Sequence, residues 1–171
     1  MGPLVLVTYA TRFGSTAEVA QAIAQEVNAR GLEVRCQPIQ TDQELDPYCA
    51  VVMGAALYMG RLHKDARRFL MKHRAALSRI PVAVFVPGPV KATEKDWIGA
   101  EQQLAKELTK FSWFKPVACK VVGGKFDPST LRFPLKLIPA LRKMPASDVR
   151  DWTAIRAWAK DLGPRLRPVA H

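Results

Sequence analysis

The stretch PLVLVTYATRFGST, residues 3–16, decides the fold. Residues 3–9 form an apolar run of the kind that is typical of a strand buried on both faces. A polar turn at 11–16 then leads into a helix predicted over residues 15–30, and Gly31 follows it as a stop signal. A turn between a buried strand and a helix presents unpaired backbone N–H groups and the positive end of the helix dipole, which together favour an anion.

Strand and helix signals alternate along the rest of the chain. Further strands are predicted at residues 32–38, 49–55, 81–86 and 117–122, and further helices at 62–77, 94–109 and 147–162. This alternation predicts one α/β domain over residues 1–171, a doubly wound parallel sheet with helices on both faces. Five strands favour the order 2-1-3-4-5, in which the ligand binds beyond the carboxyl ends of strands 1, 3 and 4. A long basic and apolar segment at 123–147 is inserted before the last helix.

The charge is distributed unevenly over a chain whose net charge is +11. Residues 1–60 hold three basic and six acidic side chains, whereas residues 61–171 hold 23 basic and nine acidic ones. An anionic partner is therefore expected: nucleic acid, an acidic lipid surface, or a carboxylated or phosphorylated small molecule. No apolar run is long enough for a bilayer and the first nine residues lack a signal-peptide pattern, so we expect a cytoplasmic protein.

The turn at 11–16 allows two interpretations. The hydroxyls of Thr11, Ser15 and Thr16 would add donors to a phosphate-binding nest, or Ser15 or Thr16 would simply cap the helix. The P-loop, the dinucleotide fingerprint and the hydrolase nucleophile elbow are all absent from the sequence. No CxxC pair and no histidine at metal-ligand spacing occurs, so no metal site is predicted, and the three cysteines are expected to be small buried residues.

The strand, the T-x-x-G-x-T turn and the amphipathic helix resemble the phosphate loop of flavodoxins, which bind FMN without a divalent metal. Residues 54–60 resemble the flavodoxin loop that covers one face of the isoalloxazine ring, and residues 86–90 lie where the second flavin loop belongs. The resemblance implies a flavodoxin-like fold and FMN as cofactor. The FMN-binding residues that it implies are Thr11, Arg12, Phe13, Gly14, Ser15, Thr16, Ala56, Leu57, Tyr58, Met59, Gly60, Pro87, Gly88, Pro89 and Val90.

Within that superfamily, three segments are similar to the menaquinone-dependent protoporphyrinogen dehydrogenases. They are TRFGST at 11–16, VVMGAALYMGRLHKDARRFLMKH at 51–73 and SWFKPVACKVVGGKFDP at 112–128. The resemblance implies an FMN-dependent oxidoreductase that oxidises protoporphyrinogen IX in haem biosynthesis and passes the electrons to a quinone. The alternative is an electron-transfer flavodoxin without an organic substrate, although typical flavodoxins are acidic. A nucleic-acid-binding module is a third reading, for which no recognised motif is present.

Three residues near these loops have both a functional and a structural interpretation. Arg12 would pair with phosphate or with a substrate carboxylate, or it is a solvated surface arginine. His63 would donate a proton or position a ring nitrogen, or it is a surface histidine. Tyr58 would stack on the flavin, or it is a packing residue. Arg12 and His63 are thus the candidate catalytic residues, and no aromatic residue occurs at 87–91 to cover the other face of the ring.

The segment at 132–144 carries apolar residues on one helical face and basic residues on another. Such a pattern is typical of a surface that binds an anionic membrane, here through Arg132, Lys136, Arg142 and Lys143. The alternative is a loop that covers the core and exposes its basic residues to water. Pro139 interrupts the pattern, so any helix here is expected to be short or bent. The inner face of the cell membrane is therefore a second expected location, and a homo-oligomer stays open.

Overall fold

The computed structural model describes residues 2–11, 14–90, 93–131 and 133–168. Its strands are β1 (Leu4–Ala10), β2 (Glu33–Pro38), β3 (Ala50–Ala55), β4 (Leu57–Tyr58), β5 (Arg61–Leu62), β6 (Val82–Val86), β7 (Ala118–Val121), β8 (Lys125–Phe126) and β9 (Ser147–Asp148). Its α-helices are α1 (Ser15–Asn28), α2 (Lys64–Lys72), α3 (Arg74–Leu77), α4 (Glu94–Leu108), α5 (Pro139–Lys143) and α6 (Trp152–Arg165). No helix among these residues has the length and apolar composition needed to cross a membrane.

The central sheet has the order β2-β1-β3-β6-β7, and all of its neighbouring strands are parallel. Every residue of β3 and β6 is buried, which explains why these two strands read as uninterrupted apolar runs. The predicted order 2-1-3-4-5 and the flavodoxin-like doubly wound α/β fold are confirmed. The carboxyl ends of β1, β3 and β6 consequently meet at one edge of the sheet.

The core has two layers, one on each face of the sheet. On one face, α1 and α6 pack together over alternate residues of β1, β3 and β6, with Ile23 and Leu162 fully buried. On the other face, α2 and α4 cover the remaining residues, with Leu70 and Leu104 buried. Because each strand sends successive side chains to opposite faces, one apolar strand supplies both layers.

Two predicted helices differ in the structure. The helix expected at 62–77 is split into α2 and α3 at His73, which ends the first and begins the second. The helix expected at 147–162 begins only at Trp152, because Asp151 caps it by accepting a hydrogen bond from the Ala154 N–H at 2.9 Å. The cysteines also differ from expectation: Cys36 and Cys49 are half-buried and Cys119 is exposed.

The two ends of the inserted segment pair with each other in a small antiparallel sheet. Strand β8 pairs with β9, so that Lys125 lies opposite Asp148 and Phe126 opposite Ser147. Between these strands the chain forms two short 3₁₀ turns and the five-residue α5, in keeping with the short helix expected around Pro139. Its apolar side chains are not all directed to the core, since Phe133 is 72% and Leu137 62% exposed. Arg132 lies outside the described residues.

Candidate functional site

Glycine geometry shapes the turn that follows β1. Gly14 has φ +81°, and its N–H donates to the Thr11 hydroxyl at 3.0 Å. Its carbonyl accepts hydrogen bonds from Ala17 and Glu18 and so begins α1. The N-cap of α1 is Gly14, which has no side-chain capping bond, while Ser15 and Thr16 lie inside the first turn. The two predicted residues between Thr11 and Gly14, Arg12 and Phe13, lie outside the described residues.

The Thr16 side chain carries a buried hydroxyl. The residue is 1% exposed, and its Oγ1 has no hydrogen-bond partner among the described residues. A buried hydroxyl without a partner costs free energy, and a ligand oxygen at the turn would supply that partner. A cavity of about 180 Å³ adjoins this turn and is bounded by Gly14, Ser15 and Glu18 on one side and by residues 125–127 on the other.

A two-residue hairpin follows β3 and carries most of the predicted ring-binding residues. Strands β4 and β5 pair Leu57 with Leu62 and Tyr58 with Arg61. Met59 and Gly60 form the turn, and both have positive φ, +50° and +74°. Such a turn requires a left-handed conformation at both central residues, which Gly60 adopts easily and Met59 does not. The Met59 side chain extends fully into solvent, whereas Tyr58 is half-buried.

A buried carboxylate from α4 holds this hairpin. Glu107 is 1% exposed, and its Oε1 accepts a hydrogen bond from the backbone N–H of Leu62 at 3.2 Å. Its other oxygen pairs with Lys110. The His63 N–H donates to the Ala56 carbonyl at 2.9 Å and closes the base of the hairpin. Sequence reasoning missed Glu107, because nothing in its local pattern marks it as a partner for a residue 45 positions earlier.

His63 has a defined structural role at the start of α2. Its Nδ1 accepts a hydrogen bond from the Asp65 N–H at 3.2 Å and lies 3.7 Å from the Asp65 carboxylate. Because Nδ1 accepts a hydrogen bond there, a neutral ring carries its own proton on Nε2. The ring is 6.1 Å from that of Tyr58, and its side chain is only 10% exposed. His63 is therefore a helix cap beside the hairpin rather than a solvated surface histidine.

The loop after β6 packs tightly against the start of the insertion. The Gly124 N–H donates to the Pro89 carbonyl at 2.9 Å. A Cβ on Gly124 would lie 2.5 Å from the Gly88 carbonyl oxygen, so the two backbones can approach this closely only because residue 124 is glycine. A cavity of about 370 Å³ lies between Leu57, residues 87–89 and the first half of α4. Two of the three predicted loops thus face a common space.

A buried arginine joins the insertion to the turn after β1. The Arg150 side chain is 3% exposed and pairs with Glu18 of α1 and Asp148 of β9. The hydrogen bonds from Arg150 hold the pKa values of both carboxyl groups below their usual range. Burial opposes the shift at both carboxyls, and it does not outweigh the hydrogen bonds. Sequence reasoning missed Arg150 as well, because its partner Glu18, on α1, lies 132 positions earlier in the chain.

A third cavity of about 550 Å³ lies away from the three loops, between α2 and residues 39–41. His73 borders it, and burial lowers the pKa of its ring below the ordinary value. None of the predicted site residues that the structure describes lines this cavity. Over the described ranges, no group of His, Cys, Asp or Glu side chains is arranged to hold a metal ion.

The fold agrees with a match to a protein family. Residues 6–146 match the model of the flavodoxin domain family, and the chain belongs to that family. Among curated proteins, it is similar to the protoporphyrinogen IX dehydrogenase [quinone] of Escherichia coli K12. The two are 24% identical over 173 residues, which cover 92% of this chain and 93% of the relative.

Two solved flavodoxins share this fold at low sequence identity. A mutant of the flavodoxin from Pseudomonas aeruginosa is 18% identical with a TM-score of 0.60, covering 95% of this chain and 98% of that one. Flavodoxin 1 of Bacillus cereus is 18% identical with a TM-score of 0.59, covering 97% and 100%. At these identities the likeness concerns the fold alone.

Proposed function

We propose that the protein is a flavodoxin-type flavoprotein that binds FMN at the carboxyl edge of its sheet. The observation that carries the proposal is the turn after β1, where left-handed Gly14 begins α1 and the buried Thr16 hydroxyl has no partner among the described residues. A phosphate oxygen at this helix N-terminus would satisfy that hydroxyl and could accept from the backbone N–H groups of Ser15 and Thr16. Thr11, Gly14, Ser15 and Thr16 would then hold the 5′-phosphate, together with Arg12 and Phe13 from outside the described residues.

The ring would lie between the hairpin after β3 and the loop after β6. Residues 56–60 would contact one face, with Tyr58 as the aromatic side chain available for stacking. Residues 87–90 would line the opposite side, where Pro87, Gly88 and Pro89 border the cavity of about 370 Å³. The absence of an aromatic residue in 87–90 leaves room on that side for a second planar molecule.

The reaction that we propose is the oxidation of protoporphyrinogen IX with a quinone as electron acceptor, because the E. coli relative bears that name and matches this chain over almost its full length. FMN would supply the two-electron chemistry, and the chain would bind and orient the substrate. His63 beside Tyr58, and Arg12 in the turn, are the candidates for contact with that substrate. The positive charge of residues 61–171 favours a carboxylated macrocycle. An electron-transfer flavodoxin without an organic substrate is the alternative, and the net charge of +11 argues against it.

A lipid surface is the proposed place of contact with the acceptor. Phe133 and Leu137 are exposed on the insertion beside Lys136, Arg142 and Lys143. Apolar side chains flanked by basic ones bind anionic bilayers, in which a quinone dissolves. Replacement of the three basic residues by glutamine should reduce sedimentation with phosphatidylglycerol vesicles. Unchanged sedimentation would refute this part of the proposal.

The first experiment is a visible absorption spectrum of the protein after incubation with FMN and desalting. Retained flavin bands are expected, and Thr16→Val should weaken FMN binding because it removes the unpaired hydroxyl at constant shape. Thr109→Val, at the exposed end of α4, is the matched control and should bind FMN as the wild type does. A protein that retains no flavin would refute the cofactor assignment.

The second experiment separates the enzyme from the electron carrier. Under anaerobic conditions, protoporphyrinogen IX should bleach the bound flavin, and menaquinone should restore its colour. Flavin that responds to a reductase protein and to neither small molecule would favour the electron-transfer alternative.

A further inference from the structure

The Arg150 side chain binds Asp148 through two parallel hydrogen bonds at the base of the insertion. Its Nε donates to Asp148 Oδ1 at 2.8 Å and its Nη2 to Asp148 Oδ2 at 2.6 Å. The guanidinium lies 4.8 Å from the centre of the Trp152 ring. A planar guanidinium held by a bidentate carboxylate and an aromatic ring has a fixed orientation, which a lysine would not reproduce.

The third nitrogen of the same group reaches the first turn of α1. Nη1 donates to the Ser15 carbonyl at 3.4 Å and to the Glu18 carboxylate. Ser15 and Glu18 belong to the helix end at which the flavin phosphate is proposed to bind. A buried positive charge is therefore fixed beside the turn, although the first sixty residues carry a net negative charge.

Among the described residues around this turn, the charges balance only when Arg150 is present. Glu18 and Asp148 are negative, Arg150 and Lys125 are positive, and the Lys125 Nζ lies 3.5 Å from Glu18 Oε1. An acidic residue in the first turn stabilises a helix, but it repels a phosphate dianion at the same place. Loss of Arg150 would leave this group with an extra negative charge next to the proposed phosphate.

We propose that Arg150 is a positioning residue that adapts the turn after β1 to a phosphorylated ligand, by neutralising Glu18 and holding the Ser15 carbonyl. This role rests on the proposed binding of FMN. The role predicts ligand selectivity. Loss of Arg150 should weaken the binding of FMN and not that of riboflavin, which has the same ring and no phosphate. A purely structural role of Arg150 would affect the two ligands equally.

The test is the ratio of the riboflavin and FMN dissociation constants, measured by flavin fluorescence titration. In Arg150→Met this ratio should fall about tenfold, the size of effect expected for one uncompensated charge near a partly buried phosphate. Glu18→Gln combined with Arg150→Met restores the local charge balance and should return the ratio to within about threefold of wild type. Glu18→Gln alone should raise the ratio, and this variant does not depend on the tolerance of the fold for losing a buried arginine.

Arg156→Met is the matched control. Arg156 also joins α6 to α1, through a 3.1 Å contact with Glu26, but at the other end of α1. It should leave the ratio unchanged. Circular dichroism establishes that each variant is folded.

Three outcomes would overturn the role of Arg150. They are an equal loss of FMN and riboflavin in Arg150→Met, a ratio that the double variant does not restore, and a ratio that Glu18→Gln alone leaves at the wild-type value. A wild-type protein that binds neither flavin would overturn the proposed function and this role together. A wild-type protein that binds FMN well while Arg150→Met keeps the wild-type ratio would overturn only the role of Arg150.

Discussion

Replacing Glu107 should destabilise the protein through the hairpin that it anchors. In Glu107→Ala the Leu62 N–H, which belongs to a residue only 2% exposed, loses its acceptor. A buried donor left without a partner costs about 1–3 kcal/mol, and the lost side chain adds about 1 kcal/mol of packing. The pair with half-exposed Lys110 contributes little, because its ammonium is solvated in either case. The expected decrease in the free energy of unfolding is about 3 kcal/mol.

Glu107→Gln separates the hydrogen bond from the charge. The glutamine oxygen still accepts the Leu62 N–H, so this variant should lose only about 1 kcal/mol. Glu101→Ala, at an exposed position of the same helix, is the control and should remain within about 0.5 kcal/mol of wild type.

Urea unfolding followed by circular dichroism measures all three variants, and hydrogen exchange measures the Leu62 amide directly. That amide should exchange much faster in Glu107→Ala than in Glu107→Gln. Equal stabilities of the alanine and glutamine variants would refute the reasoning. So would an alanine variant whose Leu62 amide is protected as in the wild type, because the anchoring bond would then be irrelevant to the hairpin.

Two further predictions concern packing and pH. Gly54→Ala should destabilise the protein by about 1–3 kcal/mol, because a Cβ there would lie within 2.7 Å of three atoms of the Phe85 ring. In urea unfolding, the double variant with Phe85→Leu should recover part of this lost stability. A double variant that recovers none of it would contradict the proposed clash. Arg150 lowers the pKa values of Glu18 and Asp148 in the folded state. The ion pairs of Arg150 therefore stabilise the fold fully above the pKa values that the two carboxyls have in the unfolded chain, near pH 4. This stabilisation is lost as the pH falls through their lower pKa values in the folded state. The difference in Tm between wild type and Arg150→Met should therefore narrow between about pH 6 and pH 3, and a difference that widens on acidification would contradict the assignment.

The sheet could be predicted from the sequence because its strands carry their own signal. Residues 49–55 and 81–86 are apolar throughout, since β3 and β6 are covered on both faces, and no other element of a small α/β domain requires that pattern. Five such strands alternating with helices then favoured the order 2-1-3-4-5. The turn after β1 also carries a local sequence signal, because Gly14 supplies the positive φ that the passage from strand to helix requires.

The start of α6 could not be predicted, because distant residues decide it. Val149 lies three residues before Trp152 and so extends the helical spacing, yet Ser147 pairs with Phe126 and Asp148 with Lys125 across the insertion. Periodicity reports which faces of a segment are apolar and contains no information about a partner strand elsewhere in the chain. Asp151 does carry a local signal for a helix start, and an N-cap there would have corrected the prediction.

The burial of the two charged side chains could not be predicted from the sequence for the same reason. Glu107 and Arg150 look like ordinary members of a charged chain, and their burial arises only when α4 meets the hairpin and β9 meets α1. A charged side chain is rarely buried without a partner, so each of these residues implies a second group that must arrive from elsewhere in the fold. The local pattern can indicate which faces are apolar, but it cannot indicate which charge will be paired.

The insertion is bonded to the loops at the carboxyl edge of the sheet. Its first residues bond to the loop after β6 through Gly124 and Pro89, and Arg150, which follows its last strand, bonds to the turn after β1 through Ser15 and Glu18. Two of the three loops at the carboxyl edge are therefore held by residues that flank a single hairpin. This arrangement explains why Ser147–Asp148 form a strand and Arg150 a buried ion pair where the predicted helix would extend α6. A longer helix would remove Asp148 and Arg150 from the first turn of α1 and leave the acidic Glu18 without its buried partner.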